Sequence, residues 1–145
     1  MSSLTPFHLA IPCRDVAEAT AFYHDVIGCS LGRSSDDWID LNLFGHQLVC
    51  HLDPSLGADG QVVLVHSDVD AHAVPIPHFG VVLSMDSWEK LAEQLTDYGV
   101  KFIIEPYVRF KDQAGEQATL FFKDPSGNAL EFKAFKDMNR LFAND

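Results

Sequence analysis

At 145 residues and 47% apolar content the chain has the length of one ordinary domain and enough apolar surface to form its core. A formal net charge of −11, with no cluster of Lys or Arg to overcome it locally, repels a phosphate backbone and excludes nucleic acid as a partner. No apolar run approaches the ~18 residues of a membrane helix, and MSSLTPFHLAIPCRD has neither a basic leader nor a cleavage signal, so a cytoplasmic protein without a membrane partner is expected.

The chain opens with PFHLAIPCRD, a short β-branched run expected as a buried strand. Within it and beyond lie Cys13, Cys29 and Cys50, an odd number without metal-finger spacing, expected as reduced thiols in the core. A helix follows, with Asp15 as N-cap and Glu18 three residues on. Its stripe is Val16, Ala19, Phe22, Tyr23 and Val26, and Gly28 stops it. Three strands are then expected near 30–34, 38–44 and 47–52. The segment 53–77 is rich in Gly and Pro and reads as a linker, with QVVLV at 61–65 as a short extra strand.

PHFGVVLSMD then repeats the opening pattern, histidine included. Asp86 with Glu89 predicts a second capped helix with stripe Trp88, Leu91, Leu95 and Tyr98, ending at Gly99, with the same cap-to-stop interval as the first. Strands are expected over 101–109, 116–122 and 129–135, with a polar loop over 109–115 and a tight turn at DPSGN, 124–128. The expectation is therefore one α+β domain of two βαβββ modules, about 5–52 and 78–135, with a tail at 136–145. The modules form a curved, mainly antiparallel sheet around a cavity.

In such a sheet alternate side chains point inward, so ligands from different strands can converge. His8 opens the first strand of module one, His78 the first strand of module two, and Glu131 lies in the last strand. Two imidazoles and a carboxylate are a set that holds a divalent metal on one face and leaves the opposite positions open. Singly, each histidine also reads as a strand-end residue and Glu131 as a solvated edge charge; their matched placement in the repeat favours the metal.

The stretches FHLAIPCRDVAEATAFYHDVIG, PHFGVVL and LFFKDPSGNALEFK resemble the vicinal oxygen chelate superfamily, which includes glyoxalase I, fosfomycin-resistance enzymes, bleomycin-binding proteins and type I extradiol dioxygenases. The resemblance covers nearly the whole chain and is most specific in D-P-x-G-N-x-L-E. It implies that His8, His78 and Glu131 are the ligands of one metal ion, and that the protein is a homodimer acting on a small molecule. LNLFGHQLVCHLDP and the segment from IIEPYVRF to FKAF are similar to a subgroup described as extradiol-type dioxygenases, for which Fe(II) or Mn(II) is expected, with Zn(II) or Ni(II) as alternatives.

Val49 stands in module one where Glu131 stands in module two, and it cannot coordinate; glyoxalase I relatives place a fourth ligand there. Val49 is instead expected against the substrate. A register slip of two would make His51 a fourth ligand; otherwise His51 is expected as an acid or base. Phe121 matches the position of an active-site Tyr in extradiol enzymes, leaving Tyr107 or His51 to supply the missing proton donor, and Arg109 to recognise a carboxylate. Arg33, Lys111 and Lys133 are further cations able to hold an anion. The segment His66 to His72 is dense in potential ligands but lacks the spacing of a Ca²⁺ loop. No G-x-S-x-G elbow or phosphate-binding glycine loop occurs, which disfavours hydrolase and nucleotidase chemistry. The expected activity is a dioxygenase on a vicinal-oxygen or aromatic substrate; the alternatives are a glyoxalase-type lyase or isomerase and a sequestering protein of the bleomycin-resistance kind.

Overall fold

The computed structural model describes residues 4–69 and 71–144. It has two compact units, one comprising the chain to Val63 together with Asp124–Asn128, the other Leu64–Lys123 together with the chain from Ala129. Both follow the βαβββ order in an α+β fold. No helix among the described residues is long and apolar enough to cross a membrane.

Unit one runs β1 (His8–Cys13), α1 (Val16–Ala21), β2 (Ser30–Ser34), β3 (Trp38–Leu43) and β4 (His46–Leu52). Its sheet has the order β1-β4-β3-β2, parallel between β1 and β4 and antiparallel elsewhere. Ile11, Cys13, Ile39, Leu41, Leu43, Leu48 and Cys50 alternate onto the face covered by Ala19, Tyr23 and Ile27. Asp15 caps α1 by accepting from the Glu18 N–H at 2.7 Å, and Gly28 closes the helical stretch at φ 96°. From Phe22 to Ile27 the winding widens to a π-helix, a feature without a sequence signal. It buries both Tyr23 and Ile27.

The DPSGN turn belongs to this unit. Asp124 accepts from the backbone N–H groups of Ser126 and Asn128, both at 2.9 Å, from Tyr23 Oη at 2.7 Å and from Asn128 Nδ2 at 2.9 Å. Asn128 Nδ2 also donates to the Pro12 carbonyl at 2.8 Å, and the Arg14 N–H donates to Ser126 Oγ at 2.9 Å. Burial raises the Asp124 carboxyl above the ordinary range, and these donors oppose the rise without cancelling it.

Unit two contains β5 (Val65–Val69), β6 (His72–Ile76), β7 (His78–Phe79), β8 (Val82–Leu83), α2 (Met85–Asp97), β9 (Phe102–Arg109), β10 (Gln117–Lys123) and β11 (Ala129–Phe135). Antiparallel β9, β10 and β11 form one sheet, with β7 and β8 both parallel to β11. Alternation puts Ala118, Leu120, Phe122, Leu130, Phe132 and Ala134 under α2, and Trp88 Nε1 donates to the Phe132 carbonyl at 3.0 Å.

Several expectations are corrected. The N-cap of α2 is Ser84, which accepts from the Ser87 N–H at 3.2 Å, so the helix starts before Asp86 and the cap-to-stop intervals of the two helices differ. Tyr98 is 58% exposed and lies off the buried stripe of Trp88, Leu91, Ala92 and Leu95. Residues 61–64 form no strand; β5 begins at Val65 and pairs with β6, a strand hidden in the sequence by Pro75. Of the polar segment from His66 to His72, Asp70 lies outside the described residues. The second opening strand is broken at Gly80, where an added Cβ would lie 1.6 Å from the Glu131 carbonyl oxygen.

All three cysteines are buried and free. Burial pushes the thiols up, Cys13 to about 11 and Cys29 to about 12, and moves Cys50 the same way. Ellman's reagent at pH 8 should therefore titrate no thiol rapidly in the native protein and all three after denaturation. A rapidly reacting native thiol would contradict this burial.

Candidate metal-binding cavity

In unit two, His78 and Glu131 meet because parallel β7 places His78 opposite Ala129, one side-chain step along β11 from Glu131. Glu131 Oε1 is 3.3 Å from His78 Nε2. The other imidazole nitrogen, Nδ1, lies 2.7 Å from the Pro75 carbonyl. A carbonyl only accepts, so Nδ1 carries a proton and Nε2 is the ring nitrogen turned toward the carboxylate. Two acceptors facing one another require a cation between them, either a second imidazole proton or a metal ion.

Glu131 Oε2 accepts from Thr119 Oγ1 at 2.6 Å, which fixes the carboxylate plane. The Phe121 ring packs edge-on against His78, with centroids 4.7 Å apart. Phe121 is 1% exposed and belongs to a small apolar cluster with Val74, Ile104 and Ala129.

These groups open into a cavity of about 190 Å³ lined by five expected site residues, His78, Glu131, Tyr107, Arg109 and Phe121, and also by Thr119 and Lys133. Strand register arranges the cavity floor in rows. Ile104, Phe121 and Glu131 form the first, Tyr107, Thr119 and Lys133 the second, and Arg109 and Gln117 the third, Gln117 being in register with Phe135 just beyond the cavity. The hairpin β5–β6 contributes Val69, His72 and Val74 to the opposite wall.

His8, Val49 and His51 belong to unit one. His8 Nδ1 lies 2.8 Å from Gln47 Oε1, the same arrangement as in His78, so its Nε2 is also left as the available lone pair. The two units are homologous in register. His8 pairs with Gln47 as His78 pairs with Ala129, and two residues on stand Val49 and Glu131. Val49 therefore occupies the mirrored position without the register slip that would bring in His51. His51 pairs with Pro12 and Trp38, its side chain is exposed, and its counterpart across the repeat is Lys133. Among the described residues no group of three His, Cys, Asp or Glu side chains is clustered as a metal would require; the His78–Glu131 pair is the element of the expected set that stands assembled within one unit.

Sequence reasoning missed Thr119 and the Pro75 carbonyl. Thr119 was recoverable, because it lies two residues before Phe121, which pairs with Glu131, and so on the same sheet face as Glu131; a backbone carbonyl leaves no residue-type signal.

The model of the Glyoxalase/Bleomycin resistance protein/Dioxygenase superfamily matches residues 5–132. The structure of a glyoxalase/bleomycin resistance protein/dioxygenase from Alicyclobacillus acidocaldarius is similar at TM-score 0.72 and 35% identity, over 96% of each chain. The fold is also shared with a lactoylglutathione lyase from Agrobacterium tumefaciens (TM-score 0.62, 14% identity, 99% of this chain and 100% of that one). A fosfomycin resistance protein, FosX, from Listeria monocytogenes shares it as well (TM-score 0.58, 16% identity, 92% and 93%). No curated protein matches the chain.

Proposed function

We propose, from the premise that the chain belongs to the glyoxalase/bleomycin resistance protein/dioxygenase superfamily, that it is a metal-dependent dioxygenase acting on a small vicinal-oxygen substrate. The observation that carries the reading is the pairing of a tautomer-fixed His78 Nε2 with Glu131 Oε1 at 3.3 Å on a cavity wall. Members of the family commonly bind a divalent metal, and the donor set present here fits one. His78 and Glu131 would be ligands, and the sequence assigns a third position to His8. A bound Fe(II) or Mn(II) would supply open coordination positions and electron transfer between substrate and dioxygen.

The chain's own residues account for the rest. Thr119 and the Pro75 carbonyl hold the two ligands in orientation. Phe121 and Ile104 provide an apolar floor that excludes water, and Tyr107, which also lines the cavity, is assigned proton exchange with the substrate. Val49 and His51 are assigned to substrate contact and proton transfer from the sequence. The absence of a polar group at Val49, the position mirroring Glu131, favours this reading over a lyase with a fourth ligand there.

Anaerobic loading with Fe(II) followed by nitric oxide should give a high-spin iron–nitrosyl paramagnetic resonance signal of near-stoichiometric intensity. Glu131→Ala and His8→Ala should each abolish it, and Thr119→Val should weaken iron affinity by about 10- to 100-fold. A folded protein that gives no signal sinks the dioxygenase reading and leaves lyase chemistry with another metal, or sequestration, as the account.

A further inference from the structure

We propose that Lys133, together with Arg109, selects a small anionic substrate, a short aromatic or comparable acid whose carboxylate lies on the side opposite its vicinal oxygens. The inference rests on the metal reading only for where the vicinal oxygens sit; the anion subsite stands on the geometry of the cavity floor.

Three observations support it. Lys133 lies on β11 one side-chain step from Glu131, roughly 7 Å along the strand. Its side chain is partly buried, and its ammonium has no carboxylate partner among the described residues; its recorded contact is the Phe135 ring, 5.8 Å from Nζ. The ammonium is thus drawn toward the third row of the floor and away from Glu131, whose oxygens are engaged by His78 and Thr119. In a chain with 21 acidic and 10 basic residues, a half-buried ammonium that no carboxylate among the described residues engages in an ion pair is suited to receive an anion.

Arg109 adds a second cation beside it. Gln117 pairs with Arg109 on one side and with Phe135 on the other, so Arg109 and the Phe135-directed ammonium flank the same row of the floor. Among the described lining residues Arg109 and Lys133 are the permanent cations and Glu131 is the carboxylate. The rest of the lining combines the apolar Val69, Val74, Ile104 and Phe121 with the polar His72, Tyr107, Gln117 and Thr119, a surface suited to an organic anion. An anion held in the second and third rows, with the rest of the molecule over Phe121, lies from Glu131 by about the length of a six-membered ring with its substituents.

The test compares benzoate with its neutral isostere benzamide on the full-length protein without added metal, using amide chemical shifts of residues 117–119 and 131–133. Benzoate should shift these amides in a saturable way and bind at least about tenfold more tightly than benzamide. Lys133→Met should remove that preference while leaving benzamide unchanged, and Arg109→Gln should reduce it. Equal binding of the two compounds, an unaltered preference in Lys133→Met, or no shift at these amides would overturn the proposal. Iron–nitrosyl formation by the same Lys133→Met protein separates the two readings: a preference for benzoate in a protein that forms no iron complex retains the anion subsite and removes the metal site.

Discussion

Replacing Gly80 by alanine is expected to destabilise the protein by about 3 kcal/mol, the upper end for steric overpacking, and to abolish metal binding at His78 and Glu131. The new Cβ would lie 1.6 Å from the Glu131 carbonyl oxygen and 2.6 Å from its carbonyl carbon. Both are backbone atoms, so no side-chain rotation relieves the overlap, and β7 must part from β11. Since β7 carries His78 and β11 carries Glu131, the pair proposed as ligands separates even where the fold survives. The counterpart in module one is Ala10, on an unbroken strand opposite Val49, and Ala10→Gly should cost less than about 1 kcal/mol. Chemical denaturation with iron titration decides the matter. Wild-type stability together with wild-type iron affinity in Gly80→Ala would show that the close approach has no role in holding the pair.

Asp124→Ala should lower stability by about 3 to 5 kcal/mol, because it leaves Tyr23 Oη, Asn128 Nδ2 and two backbone N–H groups without their acceptor in a buried site. The pH dependence has a definite sign. Burial raises the folded carboxyl above its ordinary 3.8, so the folded protein binds this proton more tightly than the unfolded chain. Asp124 therefore contributes most stability below pH 3.8, and that share is lost as pH rises through the folded value. The variant lacks this decline, so its deficit against wild type, read from denaturant midpoints across the acid range, should be largest at the lowest pH at which both proteins fold. A deficit that instead grows with pH would mean that the hydrogen-bonded anion is the favoured form.

The βαβββ repeat was legible because its signals are local. Asp15 and Gly28 bound the first helical stretch as caps and stops do, and the strand runs fall where alternation puts them. The second cap was misassigned because Ser84 and Asp86 are both competent N-caps, and the helix took the earlier one. Tyr98 fits the apolar stripe by spacing but lies at the helix end, where it is exposed. The pairing of His78 with Glu131 was legible as residue type and position. Its orientation was not, since the Pro75 carbonyl that fixes the ring sits in a hairpin the sequence shows only as a linker. The most specific stretch of the family resemblance proves to have a divided role. In DPSGN the side chains of Asp124, Ser126 and Asn128 are spent on internal hydrogen bonds, and Glu131 alone of the extended motif reaches the cavity. Such a motif identifies the fold and carries little information about the reaction.

The hairpin β5–β6 forms a two-stranded sheet of its own, yet it lends Val69, His72 and Val74 to the cavity wall. Val69 and His72 are exposed and take no part in the pairing of β7 with β11, whereas Val74 is buried beside Phe121 and the Pro75 carbonyl holds His78. Descendants of this sequence could therefore acquire new substrate ranges through Val69 and His72 while the sheet that carries His78 and Glu131 stays intact. Divergence of specificity would then run ahead of divergence of chemistry.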